Sequence, residues 1–110
     1  MAPARELLAE IVFAGEVIEW RGPAPFVFVA IPTDHSGEIR HAARAASYGW
    51  GVVPVSATID GVDFETSLFP RDGDYLLPLK IAVRRRVAVT LGDSVAVRLR
   101  ILGQRAAAMK

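Results

Sequence analysis

The chain has 110 residues, 52% hydrophobic and 23% charged, with no cysteine and a formal net charge of +1. That length suits one domain, and the composition is too apolar and too weakly charged for a disordered segment. Without cysteine, disulfides, thiolate zinc sites, iron–sulfur clusters and a cysteine nucleophile are excluded.

The first residues, Met1 to Glu6, show none of the basic, apolar and cleavage regions of an export signal. The longest uncharged stretch, Ala45 to Ile59, is interrupted by Gly49, Gly51 and Pro54. A membrane helix needs about 20 predominantly apolar residues. The expectation is a soluble, cytoplasmic protein with no membrane partner.

Period-2 alternation with turn punctuation dominates, which predicts an all-β domain of short strands. A first strand is predicted over Glu10–Trp20, with a bulge at Gly15, and Arg21-Gly22-Pro23 ends it. Phe26–Ile31 reads as a second strand, apolar on both faces and so expected to be buried on both sides. Asp34 is the predicted cap of one short helix, carrying Ile39, Ala42, Ala43 and Ala46 at helical spacing across a barrel end. Tyr48-Gly49-Trp50-Gly51 returns the chain to strand.

Residues 52–79 read as a β-meander. Val53, Val55, Ala57 and Ile59 alternate on one strand, Asp60-Gly61 signals a type I′ turn, and Val62, Phe64, Thr66 and Leu68 alternate on the return. Pro70-Arg71-Asp72-Gly73 is the next predicted turn, with Tyr75-Leu76-Leu77 beginning a third strand. One or two helical turns are predicted over Lys80–Val87, then a Gly92-Asp93 turn. In the last strand Val95, Val97, Leu99 and Ile101 face inward and Arg98 and Arg100 face water, a charged surface that would suit an edge strand. The prediction is an all-β fold with one short helix, a small closed β-barrel of about six to seven strands. It spans residues 10–102, between an N-terminal extension (1–9) and a C-terminal tail (103–110).

Five motifs in order carry a resemblance: Gly49-Trp50-Gly51, Val53-Pro54-Val55, Thr66-Ser67-Leu68-Phe69-Pro70, Leu77-Pro78-Leu79-Lys80 with Arg84, and Gly92-Asp93-Ser94-Val95. Over roughly residues 10–102 the chain resembles the bacterial and archaeal family called domain of unknown function 1905. The resemblance implies a small closed barrel of the double-split kind with one short helix, and no established activity. More distantly, Leu77-Pro78-Leu79-Lys80, Arg84 and Gly92-Asp93-Ser94-Val95-Ala96-Val97 are similar to the half-barrel of swapped-hairpin transcription regulators. That second likeness implies DNA binding through basic residues, although a shared fold does not carry function.

Candidate chemistry is sparse. His35 and His41 lie six residues apart, on different faces of a helix, so Asp34, Glu38 and the two histidines make a poor metal set. Asp34-His35-Ser36 has the letters of a hydrolase triad, but adjacent residues cannot form the required line. Ser67 has no histidine near it in sequence, and no two carboxylates can be brought together from sequence alone. Gly49-x-Gly51 leads into a strand, which disfavours nucleotide binding. No catalytic residue, metal or cofactor is assigned.

Trp20 and Trp50 are expected at barrel rims, where they either line a ligand mouth or plug the ends. Lys80 and Arg84, one helical turn apart, are candidates to clamp an anion there. The leading expectation is a non-catalytic binding module taking a small anion or a protein partner at a rim through Trp20, Trp50, Ser67, Lys80 and Arg84. The alternative is DNA binding through Lys80, Arg84, Arg85, Arg86, Arg98 and Arg100, set in a segment (71–110) with nine basic and three acidic side chains. An uncharacterised enzyme stands third.

Overall fold

A computed structural model describes residues 7–20, 26–46 and 53–103. Strands β1 (Leu7–Trp20) and β2 (Phe26–Ala30) lead through a 3₁₀ turn (Thr33–His35) into helix α1 (Ser36–Ala46). Strands β3 (Val53–Ile59), β4 (Val62–Arg71) and β5 (Asp74–Pro78), helix α2 (Ile81–Arg86) and strand β6 (Ser94–Leu102) follow. The strands close into an antiparallel barrel in the order β1-β2-β5-β4-β3-β6.

Closure depends on two long strands that change partner along their length. The first part of β1 pairs with β6, through Glu16↔Ser94, and its last residues pair with β2, from Val17↔Val29 to Trp20↔Phe26. β4 pairs with β3 from Val62 to Leu68, then with β5 from Phe69 to Arg71. The first switch is fastened by the predicted Gly92-Asp93 turn: Gly92 N–H donates to the Val17 carbonyl and Val17 N–H to the Asp93 carbonyl, both at 2.8 Å.

Alternation places Ile11, Phe13, Val17, Val29, Val53, Val55, Ala57, Ile59, Leu68, Leu77, Val97, Leu99 and Ile101 in one buried core. Both positions of the Asp60-Gly61 turn have positive φ (51° and 76°), as a type I′ turn demands. The second hairpin is tighter than its sequence suggests. Strand β4 runs through Pro70 and Arg71, and the turn is Asp72-Gly73 alone, with φ 53° and 85°. Pro70 is tolerated because this part of β4 pairs only with β5, on one side.

Two further expectations are corrected, and the open question of an edge position for β6 is answered. Gly15 is not a bulge: its ladder with β6 is continuous, and the register shift lies between Leu7 and Ala9. Gly15 belongs instead to the inward face, where an added Cβ would stand 2.4 Å from the Ala30 carbonyl oxygen and 2.7 Å from Val29 Cγ1. A side chain there would push β2 away. β6 is not an edge strand, because β1 and β3 flank it. Asp34 does not cap α1; it sits in the 3₁₀ turn, and α1 opens at Ser36.

The helix start is fixed from elsewhere in the chain. The Asp74 carboxylate accepts hydrogen bonds from Ser36 Oγ (2.7 Å) and Thr33 Oγ1 (3.0 Å), and Arg40 donates to the Gly73 carbonyl at 2.9 Å. Helix α1 packs against β1, β3 and β6, and buries Ile39, Ala42 and Ala43 in the core. Helix α2 fills the predicted position after Lys80 and sends Val87 into the same core.

Candidate functional site

β2 carries apolar residues on both faces, but only Val29's face joins the barrel interior. Phe28 points to the outer wall and is nevertheless only 2% exposed, so neighbours on that wall must cover it. Cross-strand register identifies them. Ile18, Phe28 and Pro78 are opposite one another across β1, β2 and β5; Trp20 stands opposite Phe26, and Phe69 opposite Leu76. Direct partners project on the same side of a sheet. The outer wall formed by β2, β5 and the end parts of β1 and β4 is therefore an apolar, aromatic face.

On this face Phe28 is the floor. Its ring centroid lies 6.3 Å from Phe26 and 6.0 Å from Phe69, the latter edge-on, within the range of favourable aromatic pairs. The covering rings remain about half exposed: Trp20 52%, Phe26 49% and Phe69 45%. Two open grooves are lined by these rings, and Phe69 borders both. The larger, about 510 Å³, runs across β4 from Pro54 to Pro78 and Lys80, with Phe26, Glu65 and Ser67 in its lining. The smaller, about 360 Å³, lies between Trp20, Phe28, Phe69, Pro70, Leu76 and Arg71.

Charge on the face is simple. No acidic residue among those described pairs with Lys80, whereas Glu65 has an interaction of its own. Among the described residues Arg71 has only a long contact, 3.9 Å, to the exposed Asp72.

The sequence-predicted residues are divided by this geometry. Ser67 and Lys80 share the larger groove and Trp20 belongs to the smaller, while Trp50 lies outside the described residues. Arg84 lines neither groove; it is half-buried on α2, and its Nε has no acceptor among the described residues. The proposed DNA-contacting residues are split as well. Arg85 and Arg86 are exposed on α2, which packs against β4. On β6, Arg98 is bonded to Glu10 (3.1 Å) and Arg100 to Ser56 (3.2 Å) and Thr58 (3.1 Å).

Other candidate chemistry is engaged in structure. Ser36 donates to Asp74, and the His35 ring lies 6.0 Å from Phe13. Sequence reasoning missed Phe26, Phe28, Phe69, Pro70, Arg71 and Pro78 as parts of the face. The available signal was Phe26-x-Phe28 at strand spacing, followed much later by Phe69-Pro70.

Residues 13–99 match the family described as Domain of unknown function (DUF1905). The chain belongs to this family. Its match contains every described residue that lines either groove, from Trp20 to Lys80. No match to the chain was found among curated proteins. No helix among the described residues is long and apolar enough to cross a membrane.

Proposed function

We propose that this DUF1905 domain is a non-catalytic protein-binding module that docks its partner on the aromatic face of the barrel wall. The observation that carries the reading is the half-exposure of Trp20, Phe26 and Phe69 around the buried Phe28. Isolated exposed apolar residues are ordinary, but a contiguous aromatic patch marks an interaction surface. Covering the remaining half of three such rings removes on the order of 300 Å² of apolar surface, a gross gain of about 7 kcal/mol before association costs.

The shape also favours a partner over a small ligand. Small-molecule sites enclose about 70–90% of their ligand. These grooves are open to solvent on an outer wall, and Phe69 borders both. The DNA reading asks for one basic surface with free cations, and Arg98 and Arg100 already have protein partners.

The test is selection of a random peptide library on the wild-type barrel, with each enriched peptide re-measured on Trp20→Ala and Phe69→Ala. Binding that both variants weaken while their circular dichroism stays native supports the reading. Binding indifferent to both, or saturable shifts of groove resonances with benzoate or hexanoate alone, would replace it with a different site or a small-anion pocket.

A further inference from the structure

The aromatic face also indicates what would cover it. Resting on the protein-binding reading above, we infer that the partner is a second copy of this chain, docked face to face around a two-fold axis.

The first argument is about backbone. Beyond Val17, β1 has only β2 as a strand partner, and beyond Leu68, β4 has only β5. Along a strand, successive residues turn their N–H and carbonyl to opposite sides, so every second residue serves the open side. Val17 turns its groups away from β2, to Gly92 and Asp93, and Glu19 is the next residue to do so. Glu19 already has an interaction of its own. On β4, Arg71 and Asp74 flank the two-residue turn and face each other, as do Phe69 and Leu76. Pro70 therefore faces the open side, and proline has no N–H to donate. Neither strand end offers a ladder to an extended peptide. The face is met through side chains, and a folded surface presents many of these at once.

The second argument is charge. The larger groove holds an acid and a base, Glu65 and Lys80, both exposed. At the smaller groove Arg71 has the exposed Asp72 beside it, at 3.9 Å. A face of one sign would repel its own copy, and this face carries both. In two-fold docking each contact occurs twice, i with j and j with i. An axis at the larger groove thus sets each Glu65 toward the partner's Lys80. Lys80 has no acidic partner among the described residues. Glu65 keeps its existing interaction, because a carboxylate has about four acceptor sites. The chain's formal net charge of +1 adds little long-range repulsion.

The third argument is area. The half-exposed rings supply about 300 Å² per copy. The exposed Glu65, Pro70, Arg71 and Lys80 around them bring the face to about 600 Å², so two copies cover about 1,200 Å², the lower edge of stable interfaces. Aromatic anchors also tend to meet anchors on the partner, and a second copy brings the same three rings.

The experiment is sedimentation equilibrium of the full chain. A reversible monomer–dimer equilibrium is expected, with a dissociation constant on the order of 10 μM for so small an interface. Phe69→Ala should weaken it at least about 30-fold, as for a central interface residue. Lys80→Glu and Glu65→Lys leave the rings in place and set like charges across the axis. Each, with native circular dichroism, should weaken self-association at least about tenfold. Mixed in equal amounts, these two variants should dimerise with each other as wild type does, because both pairs across the axis are then of opposite sign.

A monomer at every concentration up to about 50 times that constant would overturn the inference. Library peptides that still require Trp20 and Phe69 would in that case leave the protein-binding reading intact, and their absence would overturn both. A dimer that survives Phe69→Ala would place the interface elsewhere and overturn the inference. So would a mixture of the two charge variants that dimerises no better than either alone.

Discussion

Gly15→Ala is the sharpest probe of how the barrel closes. The added Cβ would meet the Ala30 carbonyl oxygen at 2.4 Å and Val29 Cγ1 at 2.7 Å. The first of these is backbone, so relief requires β1 and β2 to separate where β1 exchanges β6 for β2. Overpacking of this kind costs about 1–3 kcal/mol. Alanine returns about 0.4–1 kcal/mol by restricting the unfolded chain. The net expectation is a loss of about 1–2 kcal/mol, or a melting midpoint lower by roughly 4–9 °C for a chain of this size. Gly37→Ala is the matched control, because its Cβ would meet nothing within 4 Å and it lies in helix α1. It should stabilise by about 0.5–1 kcal/mol. Urea denaturation and calorimetry of the two variants decide the matter. If Gly15→Ala matched or exceeded wild-type stability, the glycine would not be there for close strand approach, and the account of closure given above would be wrong.

Other variants test other contacts, each read from urea midpoints at constant slope. Asp74→Ala removes the acceptor of the Ser36 and Thr33 hydroxyls and should cost about 2–3 kcal/mol; combined with Ser36→Ala, the two losses should fall short of their sum by at least about 0.5 kcal/mol. Neighbours on β6 should differ sharply. Leu99→Ala, fully buried, should cost about 2–5 kcal/mol, while Arg98→Ala, which breaks an exposed pair with Glu10, should cost less than about 1 kcal/mol. Arg84→Met keeps an apolar stem and deletes a buried N–H with no acceptor among the described residues, so it should leave stability unchanged or raise it by about 1 kcal/mol. A clear destabilisation by Arg84→Met would mean that its guanidinium has a structural partner.

The sequence was most legible where local chemistry decides geometry. Asp60-Gly61 sets a two-residue turn, and the alternation around it leaves one register in which Val53, Val55, Ala57 and Ile59 face the core. β6 was readable for the same reason. Gly15 was not, because a glycine in a strand marks either a bulge or a close backbone approach, and only the position of β2 separates the two. Outward arginines on β6 were equally ambiguous, since they solvate an edge strand or the outer wall of a central one. Asp34 looked like a cap, while the carboxylate that fastens the helix start comes from Asp74, in a distant hairpin. Trp20, Ser67 and Lys80 were singled out from the sequence and all lie at the grooves. What joins Trp20 to Phe69, and sends Phe28 to the outer wall, is the pairing of strands far apart in sequence, and no local pattern encodes that.

The position of the face follows from how the barrel divides its work. Its interior is filled mostly by Val, Leu and Ile side chains, with Phe13 and Tyr75 the aromatic members, and Trp20, Phe26 and Phe69 are not part of that core. Replacing any of the three by alanine removes a ring that is already about half in water, so the fold should lose far less than the 3–5 kcal/mol of a core aromatic. Phe28 behaves differently. It lies on the same outer wall but is almost fully covered, by the very rings that a partner would meet. Phe28→Ala should therefore reduce stability and binding together, whereas Trp20→Ala and Phe69→Ala should reduce binding with little effect on the melting midpoint. That split tests whether the outer rings belong to recognition or to folding. A large drop in midpoint for Phe69→Ala would assign them to the fold.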